Sequence, residues 1–475
     1  MEETVDKGGM TAHQDHGQSG ALNVMGTANV GKLLIKFSVP AIIGMLCNAF
    51  QNIVNRIFVG QEVGKLALAA VSVNFPVMIV YFALAMLIGI GATTLTAIRL
   101  GQKRHDEAEQ LLGQATLMLF IIPVILMVIG YIFMEPILLA AGATEANLPY
   151  AKDYLSVLLP AMIFCVPCMG INNFIRTEGS PRVSMYTQIL SSVINVIVNY
   201  ICVVQLQWGV KGAALGILIG NVVSLAWVLS YFLGKRSFLK IRMKNLRIKF
   251  SMLTKICALG MAPFLMQIAN CIQQFIMNRT VVDLGGDNGL AVVSVITSLS
   301  SLLVMPLVGI NQGSQPIIGY NYGAGIYKRV KDTLITGIIY ATVLGILFFA
   351  LVMLFATPMA DMFTKDEPLL TEMTAHALKV YFCMLPIIGS QIVSSGYFQA
   401  TGKPVHSAVL SLSRQVLVFI PALLIMPKLM GIEGVWISAP IADGVATIVT
   451  LFMIILSLRS LNKLKTADDV GRLVK

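Results

Sequence analysis

From Leu66 to Ile98 the chain carries no charged residue, and the same holds for Gln110 to Met134, Val183 to Val210, Gly212 to Gly234, Asn288 to Tyr327 and Thr333 to Ala360. Each run exceeds the roughly 20 residues that a helix needs to cross a bilayer. With a mean hydropathy of +0.80 and only 12% charged residues, the composition lies outside that of soluble domains. Inside lipid every backbone amide must find its partner within the segment, so runs of this kind read as helices. The expected fold is an all-α polytopic membrane protein. Helices are expected near 33–58, 66–98, 107–134, 149–175, 183–206, 212–234, 252–282, 288–320, 329–356, 373–400, 405–427 and 434–458. The first 32 residues are polar and Gly-rich with no leader-like apolar core, so the first helix is expected to direct insertion.

The net charge of +11 follows this layout. With both termini inside, 25 of the 34 Lys and Arg residues fall in cytoplasmic segments and 8 in external loops, while acids divide 11 to 11. Lys and Arg retained on the cytoplasmic side set orientation, which predicts cytoplasmic N and C termini and makes nucleic acid an unneeded partner. Eight of these cations sit between Lys235 and Lys255, read as a basic cytoplasmic linker.

The chain is also a duplication. Gln51-Asn52-Ile53-Val54-Asn55-Arg56 reappears as Gln274-Phe275-Ile276-Met277-Asn278-Arg279, 274 − 51 = 223 residues later. Pro40 matches Pro263, Gly91 matches Gly313, Gly101 matches Gly323, and Gly179-Ser180-Pro181 matches Gly402-Lys403-Pro404. Gly209 and Gly212 likewise find Gly431 and Gly434. Six helices per copy is an even number, so both copies insert the same way. Two parallel six-helix bundles related by a pseudo-two-fold along the membrane normal are expected, with binding at their interface. The expected organisation is a polar cytoplasmic tail over 1–32, a bundle over 33–234, a linker over 235–251, a second bundle over 252–460 and a tail over 461–475. Gly89 and Gly91 are expected to face Asn311 and Gly313, and Pro160 and Pro386 to interrupt their helices.

Enzyme motifs are absent: no P-loop, no Gly-x-Ser-x-Gly and no His-Glu-x-x-His. His13, His16, His105, His376 and His406 form no cluster in sequence, and Cys165-Val166-Pro167-Cys168 lies mid-helix, where small packing residues are expected. The chain reads as a non-enzyme without metal or cofactor. Polar residues at membrane depth are the informative set. Gln51 and Asn55 share one helical face, Asn48 and Asn52 an adjacent one, and Asn195 and Asn199 repeat the i, i+4 spacing. Amides can join packed helices or line a wet cavity, and both readings stand for this set. Asp443 is the one carboxylate deep in a span; Arg414 is its expected countercharge, and Asn221 its repeat counterpart. Arg56 and Arg279 are expected to snorkel outward.

Three segments resemble the MATE (multidrug and toxic compound extrusion) transporters, bacterial multidrug branch. They are Val54-Asn55-Arg56-Ile57-Phe58-Val59-Gly60, Arg176-Thr177-Glu178-Gly179-Ser180-Pro181, and the stretch from Gln312 to Ala324 reading QGSQPIIGYNYGA. The resemblance covers residues 33 to 460. It implies a monomeric exporter of organic, often cationic, drugs in the bacterial inner membrane, working by antiport with H+ or Na+. By that likeness Asp443, Asn55, Asn195, Asn199 and Arg414 are coupling candidates, Gln51, Gln274, Asn278, Asn48, Asn311 and Gln315 cavity candidates, and Arg176 and Glu178 cytoplasmic gate candidates. The chain departs from the family where Asn55 and Asn199 stand in place of the usual acids, Ile217 replaces a polar position of some members, and no acid accompanies Asn270 and Cys271. An amide coordinates a cation through oxygen but exchanges no proton at physiological pH. Coupling is therefore expected at Asp443 or through neutral oxygens. A lipid-linked saccharide flippase of the same superfamily and a major-facilitator carrier are the alternatives. The first often has 14 spans, and the second usually has an Asp-Arg-rich loop where this chain reads RLGQKRHD from Arg99.

Overall fold

A computed structural model describes residues 24–234, 237–364 and 367–461. The segment 1–23 with His13 and His16, linker residues 235 and 236, and the tail from 462 lie outside the described residues. Twelve membrane-length units follow the apolar runs: α1 (Val30–Glu62), α2 (Phe75–Gly101), α3 (His105–Ile132), α4 (Leu148–Thr177), α5 (Pro181–Gln205) and α6 (Gly209–Leu233). The second set is α7 (Phe250–Gly286), α8 (Asn288–Gly323), α9 (Tyr327–Asp361), α10 (Pro368–Ala400), α11 (Pro404–Met430) and α12 (Ile432–Leu461). The chain is a multi-pass, all-helical membrane protein. Each set packs around its own buried apolar cluster, the first including Leu112, Leu155, Phe174 and Phe232, the second Leu334, Phe382, Tyr397 and Trp436.

Local chemistry sets the breaks. The run expected as one helix over 66–98 divides at Asn74, between a short helix Lys65–Val73 and α2. Buried Asn74 donates to Ala70 O and to Ala151 O on α4, and Pro76 opens the first turn of α2. Pro76 has no N–H to donate to Ser72 O, so the helical ladder is interrupted here. The repeat anchors Gly209 and Gly431 both hold positive φ, 59° and 63°, at the turns before α6 and α12. Left-handed backbone of this kind is open to glycine at no steric cost. Pro160 does not interrupt α4, which runs unbroken through Pro160 and Pro167 because it is clasped by neighbours along its length. In contrast α10 bends by 48° between Tyr381 and Leu385, just before Pro386.

The two lobes, α1–α6 and α7–α12, seal against each other at the end of the molecule that carries residue 24, the linker and Leu461. At this plug, helices approach backbone to backbone through glycine. A Cβ on Gly91 would lie 2.1 Å from Ile256 O, on Gly260 1.7 Å from Leu87 O, on Gly101 2.0 Å from Tyr320 O, and on Gly323 2.1 Å from Ile98 O. On the related side Gly313 abuts Ser38, and Gly309 abuts Ile42. The expected facing of Gly89 and Gly91 with Asn311 and Gly313 is not realised. Gly91 and Gly313 each meet the first helix of the other lobe, Gly89 meets Gly170, and Asn311 sits against Gly396. The reason is the crossing of α2 and α8, which touch nearer their ends, at Gly101 and Gly323.

Two straps reinforce the plug. A single helical turn at 24–27 precedes α1, and its carbonyls at Met25 and Ala28 accept from Arg329, at 3.0 and 2.8 Å, in the α8–α9 region of the other lobe. Asn321 adds a bond to Met25 O. The linker lies stitched to the first lobe. Lys240 N and Arg242 meet Glu109, Gln114 donates to Lys249 O, and Lys249 Nζ donates to Gln110. Beyond the plug, the far halves of α1 and α7 contact their own lobes, Asn48 with Ser192, Asn55 with Asn199, Asn270 with Gln415 and Gly285 with Ile432. Among the described residues no glycine contact or hydrogen bond joins the lobes there, and the region between these far halves is termed the cleft. Gly101→Val is expected to wedge the plug apart. With native cysteines replaced, labelling of a Cys at position 38 (Ser38→Cys) by a membrane-impermeant maleimide should then rise severalfold; unchanged labelling refutes the packing argument.

Candidate functional site

In the first lobe the amides of α1 and α5 form one cluster. Asn199 uses both amide hydrogens, donating to Asn55 Oδ1 at 2.5 Å and to Asn195 Oδ1 at 3.3 Å. Asn195 and Asn199 are each 1% exposed. Asn195 Nδ2 and Asn199 Oδ1 have no partner among the described residues. The cluster fits only because α6 offers Gly216, where a Cβ would stand 2.0 Å from Asn199 Oδ1. One turn deeper, Ser192 donates to Asn48 Oδ1. Chemically this is a charge-neutral nest of carbonyl oxygens around one amide.

The second lobe keeps the α1–α5 link in its own α7–α11 pair: Gln415 donates to Asn270 Oδ1 at 2.6 Å. Positions 270 and 415 lie 270 − 48 = 222 and 415 − 192 = 223 residues after Asn48 and Ser192. The expected countercharge is in place, with Arg414 Nε donating to Asp443 Oδ1 at 2.6 Å. Asp443 is almost wholly buried, whereas the Arg414 side chain is 27% exposed. A π-helical turn over Ser413–Phe419 presents Arg414 to α12 and Gln415 to α7 from adjacent positions. Such wide turns recur where a helix must re-aim side chains at a site. Gln391 on α10 anchors the backbone here, donating to Asp443 O and Thr447 Oγ1. Tyr381 lies within electrostatic range of both ions. Asn221 has no equivalent role, since it bonds Ile217 O in its own helix.

The remaining candidates divide between cleft and plug. On the cleft side, Gln274 donates to Asn278 Oδ1, Asn52 caps back onto Asn48 O, Gln51 is half-buried, and Arg279 is exposed. The side chain of Arg56 lies outside the described residues. Gln315 and Asn311 belong to the plug: Gln315 donates to Gln399, and Asn311 packs on Gly396. Arg176 is buried there too, bonded to Gln312 of the other lobe and to Asn173. Glu178 faces away from it, receiving Ser237 Oγ at 2.9 Å and Leu239 N at 3.0 Å from the linker. Among the described residues Glu178 joins no ion pair, and burial pushes its carboxyl up to about 7. The free cysteines, Cys165 and Cys168 among them, join no metal cluster among the described residues.

Two successive stretches, residues 40–201 and 262–424, match the MatE family model, one in each lobe. The chain belongs to the MATE family. It is thus a transporter and not an enzyme. Among its relatives are the multidrug export proteins MepA of Staphylococcus haemolyticus, 26% identical over 91% of this chain and 95% of that one, and of Staphylococcus aureus, 26% identical over 90% and 94%. A MATE crystallised with MaL6 superposes with a TM-score of 0.89 at 25% identity, covering 94% of this chain and 99% of that one. A multidrug resistance MATE family transporter in an outward-facing conformation superposes with a TM-score of 0.86 at 26% identity, over 97% and 100%.

Sequence reasoning missed Ser192, Gln415, Gln391, Asn173 and Glu109. The doubled spacing of Asn48 and Asn270 held the signal for the first two. Two outcomes test the site. Asp443→Ala strands the Arg414 charge and is expected to cost about 3 kcal/mol of stability. Adding Arg414→Met should recover most of it, as read from thermal unfolding in detergent. For Glu178, whose carboxyl is raised from its usual value near 4.5, ionisation inside the pocket is unfavourable. Stability present below about pH 4.5 is therefore lost as pH rises through about 7. Between pH 5 and 8 the wild type should lose melting temperature relative to Glu178→Gln, and a constant difference refutes the assignment.

Proposed function

We propose that this MATE transporter exports organic, often cationic, compounds by antiport with H+ or Na+, acting as a monomer in the bacterial cytoplasmic membrane. The Lys and Arg bias supports a cytoplasmic plug, and in this reading the described state is outward-facing. One observation supports the reading: the described contacts between the halves are concentrated at one end, and each half holds a buried polar cluster. Alternating access then follows from opening the plug while the far ends close. The relatives named as multidrug export proteins support the substrate class.

The second lobe is the proton-active half in this reading. Asp443 is neutralised by Arg414, which reaches toward the more exposed side. A proton or a cationic ligand at the carboxylate would compete with that guanidinium, so occupancy and lobe packing are linked. In the first lobe, the Asn55, Asn195 and Asn199 nest takes up no proton. Turning Asn199 Oδ1 inward would instead offer three neutral oxygens to a cation such as Na+.

Proteoliposomes loaded with a cationic dye and given separate H+ and Na+ gradients test this. Dye export should follow at least one gradient in the wild type. In Asp443→Asn the pH dependence of export should vanish; if it persists unchanged, proton coupling does not reside at Asp443. If neither gradient moves dye, antiport itself is rejected.

A further inference from the structure

At the plug Arg176 on α4 reaches across the seam to a side chain of the other lobe, whereas Arg329 meets backbone carbonyls. Arg176 is 7% exposed, and among the described residues it joins no carboxylate. Its partners, Gln312 Oε1 and Asn173 Oδ1, are neutral. The repeat gives an internal control. Position 399 is the counterpart of 176 (399 − 176 = 223), and there a neutral Gln399 stands, accepting from Gln315 within its own lobe. The second copy thus fills the same repeat position without a charge, and the charge at Arg176 calls for another explanation.

The plug around Arg176 carries buried polar atoms besides its glycine contacts. Ser38 Oγ, Asn311 Oδ1 and Gln399 Nε2 are buried without a protein partner along the same stretch of α8, from Asn311 to Gln315. Buried polar atoms in such a row are solvated by water or by an ion. A hydrated seam through the plug would join the cleft to the opposite side and short-circuit any cation gradient. A fixed positive charge within a narrow polar passage excludes protons and cations while leaving helix packing untouched.

We propose that Arg176 is the cation barrier of the closed plug: its guanidinium keeps protons and small inorganic cations from crossing the seam while the lobes are closed. The need for such a barrier rests on the gradient-driven function proposed above. At an effective dielectric constant of about 20, one charge acting over about 10 Å changes a crossing rate by about tenfold.

The test uses the full chain in substrate-free liposomes containing trapped pyranine, with a valinomycin-imposed K+ potential driving proton entry. Arg176→Gln, which removes the charge, and Gln312→Glu, which neutralises it while keeping the cross-lobe bond, should each raise the leak about tenfold. Arg176→Lys and Gln312→Leu, which keep the charge, should stay at the wild-type rate. The idea is overturned if Arg176→Gln is as tight as wild type. It is equally overturned if Gln312→Leu leaks while Gln312→Glu does not, since packing would then be the seal. Should Arg176→Gln fail to fold, the two Gln312 variants decide alone. Dye-dependent proton flux in the wild type, measured separately, reports on antiport, so a failure of coupling and a failure of the barrier give different results.

Discussion

Backbone contact without side chains between is the constraint on which this architecture rests. At Gly91, Gly101, Gly260 and Gly323 one helix lies so close to another that a single carbon would overlap a carbonyl oxygen. Within a membrane no hydrophobic force distinguishes a neighbouring helix from lipid, and dispersion between closely matched surfaces has to hold helices together. Small residues concentrated at one end give a strong but local seal. The far ends, richer in bulky and amide side chains, have no comparable grip across the lobes.

The duplication has been used unequally. Both lobes keep the link between first and fifth helices, as Asn48 with Ser192 and as Asn270 with Gln415. Around that shared frame the first lobe has only amides, and the second has an ion pair on a π-helical turn. Neutral amides bind through dipoles and barely sense pH, whereas a carboxylate held by a partly exposed guanidinium responds to protons and to competing cations. One fold thus carries two buried polar clusters of different charge.

Much of this was legible in the sequence because the physics of lipid is blunt. Uncharged runs located the helices, and the spacing of Pro40 with Pro263 revealed two copies. The Asp443 and Arg414 pairing was also readable, since two charges at that depth have few alternatives. Facing was harder. Gln315 and Asn311 were read as cavity residues, yet both lie in the plug, because composition does not tell which end of a cleft is shut. The break at Asn74 escaped because its cause is a bond to Ala151 O on a distant helix. Ser192 and Gln415 escaped because the repeat preserves the contact there and not the residue type.

The first helix of each lobe begins in the packing of the other: α1 starts under Arg329 and Gly313, and α7 starts against Leu87 and Gly91, on a linker stitched to Glu109 and Gln114. During synthesis the first six helices enter the membrane with their glycine grooves uncovered and the foot of α1 unmoored. That half reaches its final shape only after α8 and the turn before α9 have been made. The crossing also binds the two copies genetically. Separated into two genes, each product would expose a socket shaped for the other, so once the crossing arose the duplicated halves had reason to remain one chain.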